Sequence, residues 1–489
     1  MVFIPVIQYL FGVIVFFETM FFSSMYLFCF FCAVLIGYNF NDRLLFSRLV
    51  CNMFLFVGVI SSCIVIIQWL DFYNLQPYII KIQTGRPYAN LGQPNQLSTI
   101  LIISLCSLWY LYEYENKKIY NYIALLLLFS IVLTQSRTAW LVFLCLVIYY
   151  FLVKKRVNFS LKVRAIFLYI IFFVFSLIFL PYYNSILDCF NIGLKTSTFY
   201  ERITTGYSRL DIWEYLYHAL LEKPWTGYGW YQTQIANVSG MGNAPTKMVL
   251  DSSHNIALDI LVWTGLILGI IILLYYFFLF LSIFKSLKTK ESIVFFAMIL
   301  SILIHGFLEY PLFYSYFLLP MGWMIGFVLN ENKLRFFYLN KIIVLFLILI
   351  LIFSMFLVNF GYSYMYNKKI EALMKLDRKE KIYYTDKQLK INFFMEETIY
   401  DRTNFIIYWV KFNPYTKLDD SKLISLKKYV FATATKQNLT KYAILLAYNE
   451  YQNEAIMILK IIEKLYGQRI DYAQLLDHRM YHKVCKFCD

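Results

Sequence analysis

Apolar blocks of roughly 17 to 25 residues, the length of a membrane-spanning helix, recur along most of the chain. Each block can cross a hydrocarbon core of about 30 Å as an α-helix. The 489 residues are 60% hydrophobic and only 15% charged, whereas a soluble chain carries about 25% charge. The blocks therefore predict an all-α polytopic membrane protein with about 11 transmembrane helices, over residues 3–17, 21–38, 50–69, 97–112, 118–134, 138–153, 163–181, 256–284, 291–308, 312–329 and 340–360.

Lys and Arg are concentrated in the short connections between alternate helices. Threading the chain through a membrane places these connections on one side, and the positive-inside rule makes that side cytoplasmic. The net charge of +15 is therefore a topology signal, which predicts the lipid bilayer and no nucleic acid as a partner. The connections hold Arg43, Arg48, Lys117, Lys118, Lys154, Lys155, Arg156, Lys285, Lys288, Lys290, Lys333 and Arg335.

Three longer segments fall on the external side: 71–96, 182–255 and the tail 361–489. We expect residues 1–360 to form the membrane domain, with 182–255 as its large external loop. The tail is richer in charge, and its apolar residues, as in Ala455–Leu465, are spaced for amphipathic helices. It predicts a soluble α-helical domain with a break at Asn413 and Pro414. Tetratricopeptide-like hairpins are one interpretation, although the tail shows no clean repeat of about 34 residues.

The sequence argues against two other features. The first apolar block lacks the basic start and small-residue exit of a signal peptide, so we predict that it is a true span. The cytoplasmic connections hold no phosphate-binding glycine loop and leave no room for a nucleotide domain. An ATP-driven mechanism is therefore not expected, and any chemistry is expected at the external face.

The first candidate site is a polar, turn-rich stretch that runs from Gly85 to the fourth predicted helix and includes Arg86. Asn95 has two interpretations: it caps the helix through its side-chain oxygen, or it binds a ligand. Gln93 and Gln96 are amides at the helix start, where they can hydrogen-bond sugar hydroxyls or phosphate oxygens.

Two arginines in external segments are candidates for phosphate binding. Arg137 lies between two short helices, where it either snorkels to water or directs its planar guanidinium at a phosphate. Arg209 lies in a stretch, 207–213, that predicts an amphipathic helix. The following stretch, 224–230, has glycines suited to a tight turn and aromatic residues that serve either as sugar platforms or as membrane-interface residues.

The third candidate is His254, which directly precedes a long apolar helix. The positive end of the helix dipole disfavours the imidazolium, and a neutral imidazole can accept a proton as a general base. A capping or buried structural histidine is the alternative. His305 and Glu309 lie four residues apart on one helix face, followed by Tyr310, and are either structural or functional polar groups within the membrane.

Two cysteines, Cys485 and Cys488, end the chain close to His478 and His482. A lone C-x-x-C is a weak zinc signal without a second pair of ligands. A small disulfide or two free thiols is the favoured interpretation, and neither a metal nor another cofactor is predicted.

In these stretches the chain resembles the bacterial O-oligosaccharyltransferases, the PglL-like pilin-glycosylation ligases of the O-antigen ligase/polymerase superfamily. The residues that carry the resemblance appear in the family's order between about residues 80 and 326, and the tail also resembles the family's C-terminal domain. They are Asn90–Gln96, Gln135–Arg137, Arg209 with Trp213, Pro224 with Gly227 and Gly229, His254 with Asn255, and Glu309–Tyr314.

The resemblance implies that a glycan moves from undecaprenyl diphosphate to a Ser or Thr of a periplasmic protein such as type IV pilin, with inversion and without a metal. It places the enzyme in the inner membrane with its active site facing the periplasm. It implies that His254 is the essential histidine and that Gln93 and Tyr310 are polar positions important for transfer. Arg137 and Arg209 match the arginines that bind the diphosphate.

Alternatives remain open at this stage. An O-antigen ligase or a polysaccharide polymerase shares most of these motifs, and a lipid-linked glycan flippase belongs to another class. The external tail and the Asn90–Gln96 run favour a protein acceptor. Family members have further hydrophobic segments before the part that matches residues 5–40, so we expect the natural start to lie upstream.

Overall fold

The computed structural model describes residues 1–40, 42–72, 78–80, 82, 85–190, 193, 208–240, 249–331, 343, 348–349, 361 and 400–476. The regular secondary structure of these residues is helical, with no β-strand. The helices are α1 Phe3–Leu10, α2 Phe17–Asn39, α3 Arg43–Trp69, α4 Pro94–Glu115, α5 Ile119–Thr134, α6 Arg137–Val153, α7 Val163–Cys189, α8 Ser208–Glu222, α9 Thr233–Ser239, α10 Ile256–Ser286, α11 Lys290–Gly306, α12 Ser315–Glu331, α13 Asp401–Lys411, α14 Asp420–Ala432, α15 Lys436–Tyr448, α16 Gln452–Tyr466 and α17 Tyr472–Leu475.

The chain is a multi-pass membrane protein. Five helices, α2, α3, α4, α7 and α10, are long and apolar enough to cross a bilayer, and α5 and α6 are shorter apolar helices. The all-helical class is therefore confirmed for the described residues. The number of about 11 spans stays a prediction, because most of the predicted helix 340–360 lies outside the described residues.

The prediction that residues 3–17 form a span is wrong. Helix α1 has 8 residues, about 12 Å at 1.5 Å per residue, which is too short for a hydrocarbon core. Gly12 turns the chain with a φ of +70°. After it, the Gln232 side chain donates to the Val13 carbonyl at 2.9 Å and accepts from the Val15 N–H at 2.9 Å. These bonds satisfy backbone groups that a continued helix would have paired internally.

The described residues group into two compact units. One comprises Phe30–Tyr207 and Phe277–Leu347, here called the bundle unit; the other comprises Met1–Cys29, Ser208–Tyr276 and Ile348–Asp489, here called the loop unit. In the bundle unit, α4 is mostly buried because it packs against α3, α5, α6 and α11. Its core includes Leu97, Leu101, Leu127, Leu128 and Val142.

Basic connections of the bundle unit meet at one end of its helices. Arg43 pairs with Glu331 at 3.4 Å, and Lys290 pairs with Glu113 at 3.0 Å. Arg156 donates to a carbonyl at the end of α10 at 2.5 Å. These contacts join the connections after α2, α4, α6 and α10, as the one-sided distribution of Lys and Arg predicts.

In the loop unit, residues 224–229 pack against a break in α10. Gly265 has a φ of +77° and a ψ of 174°, so the carbonyls before it lose their helical partners. The Tyr228 and Gly229 N–H groups donate to the carbonyls of Val262 and Trp263 at 2.8 and 3.1 Å. A Cβ on Gly227 would lie 2.6 Å from the Val262 oxygen, so only glycine permits this approach.

The tail contributes helices α13 to α17 to the loop unit, and its first helix exchanges caps with α2. The Asp401 carboxylate accepts from the Phe17 and Glu18 N–H groups at 2.7 and 2.9 Å. Glu18 accepts in return from the Thr403 N–H at 3.2 Å. Burial raises the pKa of Asp401, although the N–H donors oppose that rise. Each carboxylate thus lies at the other helix's N-terminus, where the helix dipole favours negative charge.

Two predictions for the tail are confirmed. The predicted amphipathic stretch lies within α16, which buries Ile458, Ile462 and Leu465. The break at Asn413 is present, because α13 ends at Lys411 and the Asn413 side chain accepts from the Tyr415 N–H at 3.0 Å. The domain boundary at 360/361 stays a prediction.

Candidate active site

Asn95 is the centre of a polar cluster in the bundle unit. It lies in the first turn of α4, and its Nδ2 donates to Glu309 Oε1 at 2.8 Å. Its Oδ1 accepts from Ser136 Oγ, also at 2.8 Å. The capping interpretation is therefore wrong: the side chain joins α4 to the segments after α5 and α11.

Arg86 brings a positive charge to this cluster. Its Nε donates to the Thr134 carbonyl at 3.0 Å, and its Nη2 donates to the Gln135 carbonyl at 3.3 Å and to Asn95 Oδ1 at 3.5 Å. The carbonyls belong to the C-terminal turn of α5, where the helix dipole favours a cation. The guanidinium thus lies among the C-terminal carbonyls of α5, next to Asn95.

The other polar residues predicted in this region lie nearby. The Thr99 hydroxyl lies 2.8 Å from His305 Nδ1, one helical turn along α4 from the Asn95–Glu309 bond. The Tyr316 hydroxyl donates to Gln96 Oε1. The structure therefore shows His305 and Glu309 each bonding to α4, which the sequence did not predict.

Gln93 and Tyr310 border the cluster and are partly exposed. Gln93 precedes α4 in an extended conformation, and its side chain makes no capping bond. Tyr310 stacks on Tyr314 with 6.1 Å between ring centroids. Both positions can therefore present polar groups to a ligand.

Arg137 is the first residue of α6 and is exposed. The preceding Gln135 adopts a left-handed conformation with a φ of +49°. Ser136 then caps α6 by accepting from the Ala139 N–H at 3.3 Å. This tight turn presents Arg137 at the N-terminus of α6, where the helix dipole and the guanidinium both favour an anion.

The cluster lies at the opposite end of the bundle unit from the basic connections. Helices α4 and α6 begin at the cluster and end at the basic connections, whereas α5 and α11 run in the other direction. The contacts of Asn95, Ser136 and Glu309 confirm that these four helix ends meet. The spacing of the connections correctly predicted this separation.

In the loop unit, a buried carboxylate holds the segment that carries His254. Asp259, in the first turn of α10, is 1% exposed. It accepts from Ser252 Oγ at 2.8 Å, from the Ser253 N–H at 2.9 Å and from Thr233 Oγ1 at 3.0 Å. Asp259 was not predicted from the sequence. The signal that could have found it is an acidic residue inside an apolar helix, which is costly unless it is bonded.

His254 lies in the loop that Asp259 holds, and its backbone conformation is strained. Its φ is +56°, a left-handed value that is uncommon for a residue with a side chain. Its N–H donates to Ser252 Oγ at 3.0 Å. The helix cap comes from Asn255 Oδ1, which accepts from the N–H groups of Ala257 and Leu258 at 3.0 and 3.4 Å. His254 therefore does not cap α10.

Arg209 belongs to the same unit, on α8. This helix confirms the predicted helix for residues 208–213, and residue 207 lies outside the described residues. One turn after Arg209, the Trp213 indole N–H donates to the Ser253 carbonyl at 2.9 Å. Trp213 thus joins the helix that carries Arg209 to the loop that carries His254.

The aromatic motif at 224–230 is chiefly structural. Tyr228 and Trp230 are 2% and 7% exposed. Tyr228 donates to the Ala219 carbonyl at 3.0 Å, and burial raises the pKa of its hydroxyl. The predicted tight turn is confirmed, but only Trp225, 69% exposed, is an available platform among these three.

The structure thus brings the predicted residues together in two sets. The bundle unit holds Arg86, Gln93, Asn95, Gln96, Arg137, Glu309 and Tyr310, and the loop unit holds Arg209 and His254. Cys485 and Cys488 lie outside the described residues.

Comparison with known proteins identifies the family. Residues 122–274 match the O-antigen ligase family, residues 87–112 match the protein glycosylation ligases, and residues 293–476 match the C-terminal part of the virulence-factor membrane-bound polymerases. A general O-oligosaccharyltransferase of Acinetobacter baylyi is 34% identical over 484 residues, which cover 96% of this chain and 83% of the relative. The chain belongs to the O-oligosaccharyltransferase family.

A second relative of this oligosaccharyltransferase is the ComP-specific O-oligosaccharyltransferase of the same organism. It is 35% identical over 350 residues, which cover 70% of this chain and 62% of that protein. No solved structure matches the chain. As a member of this family, the oligosaccharyltransferase is a glycosyltransferase that moves a lipid-linked glycan to protein.

Proposed function

We propose that this oligosaccharyltransferase takes its glycan from undecaprenyl diphosphate and attaches it to a Ser or Thr hydroxyl of a periplasmic protein, such as type IV pilin. The enzyme lies in the inner membrane, and its active site faces the periplasm. The observation that carries the proposal is His254, which is held at a positive φ by the bonds around Asp259. Strained residues of this kind cluster at functional sites.

His254 acts as the general base. The acceptor hydroxyl oxygen attacks the anomeric carbon of the first sugar while the imidazole accepts the hydroxyl proton. The bond between the anomeric carbon and the phosphate oxygen breaks, and the lipid diphosphate leaves with the bonding electrons. A single displacement of this kind inverts the anomeric carbon. No metal or other cofactor takes part in this proposed step.

Arg137 and Arg209 bind the diphosphate. A guanidinium offers two parallel N–H donors to phosphate oxygens, and it stabilises the negative charge that grows on the leaving group. Arg137 is exposed at the N-terminus of α6, and Arg209 lies on the helix joined to the His254 loop through Trp213.

The cluster around Asn95 supports the donor site. Arg86 supplies further positive charge, and Gln93, Gln96 and Tyr310 present polar groups to the glycan or the diphosphate. Glu309 fixes the Asn95 amide through a 2.8 Å bond, so that Asn95 Nδ2 has a defined direction.

The match to the protein glycosylation ligases and the ComP-specific relative favour a protein acceptor over lipopolysaccharide or a growing polysaccharide. The test is glycopeptide mass spectrometry of periplasmic proteins and pilin from cells with and without the gene. We expect one or more Ser- or Thr-containing peptides to lose a glycan mass on deletion and to regain it with the wild-type gene. Unchanged glycopeptides, together with loss of O-antigen or polysaccharide, would reassign the acceptor.

A further inference from the structure

A polar cavity of about 230 Å³ lies in the loop unit next to the segment that carries His254. Its wall includes Asp251, three residues before His254, and Arg402, at the start of the tail's first helix. Thr19, Tyr231 and Gln234 supply further polar or aromatic groups. The tail and the loop that carries His254 therefore both contribute to the lining of this cavity.

Hydrogen bonds join two of the polar groups at the cavity wall, Arg402 and Gln234. Arg402 Nη2 donates to Gln234 Oε1 at 3.5 Å and to the Ala432 carbonyl at 3.4 Å. Gln234 Nε2 donates to the Ala434 carbonyl at 3.1 Å. These bonds place the Arg402 guanidinium beside Gln234 at the wall of the cavity.

Asp251 adds a carboxylate and Tyr231 an aromatic ring to the cavity wall. The bonds that hold the loop carrying His254 use Ser252, Ser253 and Asp259, whereas Asp251 is exposed and lines the cavity. Tyr231 is 46% exposed and adopts a φ of +63°. Strain of this kind indicates a functional constraint on the position.

We propose that this cavity binds one neutral sugar residue of the donor glycan. Asp251 and Arg402 have opposite charges, so the wall suits hydroxyl groups better than a diphosphate. A carboxylate accepts and a guanidinium donates hydrogen bonds to hydroxyls, and an aromatic ring covers the apolar face of a sugar. The volume is below the range of about 300–1,000 Å³ for larger ligands, which favours one ring over an extended polypeptide.

This proposal rests on the proposed function and makes the cavity a determinant of glycan specificity. The tail helix that bears Arg402 is then part of the donor site. Exchanging residues of this wall between relatives is expected to change which glycans are transferred, while His254 continues to supply the base.

The test measures binding of the free oligosaccharide released by mild acid from the cell's own lipid-linked donor. The enzyme is purified at full length in nanodiscs with His254→Ala, and saturation-transfer NMR gives the Kd. We expect Asp251→Asn and, separately, Gln234→Ala to weaken binding about tenfold, equal to about 1.4 kcal/mol. The matched control Glu463→Gln changes an exposed acid of α16 and should leave the Kd unchanged.

A second measurement uses enzymes with His254 intact. The same two variants should raise KM for the donor and leave KM for the acceptor protein unchanged. A higher acceptor KM alone would assign the cavity to the acceptor, and unchanged Kd and KM in well-folded variants would remove the site. If wild-type enzyme transfers nothing to protein but the variants still weaken glycan binding, the proposed function fails and the sugar site stands.

Discussion

Replacing Asp259 tests whether the geometry around His254 matters for transfer. Asp259→Ala removes the acceptor for Ser252, Ser253 and Thr233, which lie 2.8 to 3.0 Å from its oxygens. A hydrogen bond contributes about 0.5–1.5 kcal/mol net, and more when one partner is charged. The three bonds together therefore contribute about 1.5–4.5 kcal/mol or more to holding the loop.

The free energy of these three bonds is comparable with the backbone strain at His254 that it offsets. A non-glycine residue in the left-handed region costs about 1–3 kcal/mol, and His254 has a φ of +56°. Without Asp259, His254 should relax to an ordinary conformation in most molecules. Because 1.4 kcal/mol corresponds to a factor of ten, we expect kcat to fall about 5- to 150-fold while donor KM changes little.

The assay follows glycosylation of a purified acceptor protein by enzyme in nanodiscs, with lipid-linked donor. Thermal unfolding of each variant reports whether the fold is kept. Asp259→Asn retains one acceptor oxygen and should lose less activity than Asp259→Ala. A kcat for Asp259→Ala within twofold of the wild-type value, in a folded protein, would refute the link between this carboxylate and catalysis.

Further predictions concern charge, packing and topology. Arg137→Ala and Arg209→Ala should each abolish glycan transfer while the protein still inserts into the membrane. Arg→Lys at either position should recover only part of the transfer, because a point charge lacks the bidentate fork. Full activity in both Ala variants would exclude the two arginines from the site. Glu309→Ala should raise donor KM severalfold, since Asn95 loses its 2.8 Å partner; an unchanged KM would limit Glu309 to packing. Gly227→Ala should lower the Tm and the yield of protein in the membrane, because the added Cβ would lie 2.6 Å from the Val262 oxygen. The positive φ at this position adds a cost of about 1–2 kcal/mol for a residue with a side chain. A wild-type Tm would contradict the tight packing. Reporter fusions at 220 and 430 should both give periplasmic signals, and a cytoplasmic signal at either would overturn the threading.

Sequence patterns predicted the features that depend on local composition, which are the apolar helices and the charged connections. Apolar length located the helices α2 to α7 and α10, and the Lys and Arg connections correctly separated one end of the bundle unit from the other. The first block failed because hydropathy does not register the turn at Gly12 or the bonds that Gln232 makes to Val13 and Val15.

Contacts between distant segments could not be predicted in the same way. Asn95 resembles a helix cap by position, but its partner Glu309 lies 214 residues away. The glycines at 227 and 265 have separate local explanations, and only the structure shows that they pack against each other. Arg402 likewise bonds to Gln234, which lies 168 residues away.

The most direct test of the account compares wild-type enzyme with His254→Ala in a reconstituted reaction with purified lipid-linked glycan and acceptor protein. General-base removal typically lowers the rate about 10²- to 10⁴-fold, and donor binding should persist because Arg137 and Arg209 remain. His254→Asn should be as inactive, since Asn255 already caps α10. Near-wild-type turnover by His254→Ala would contradict the catalytic role.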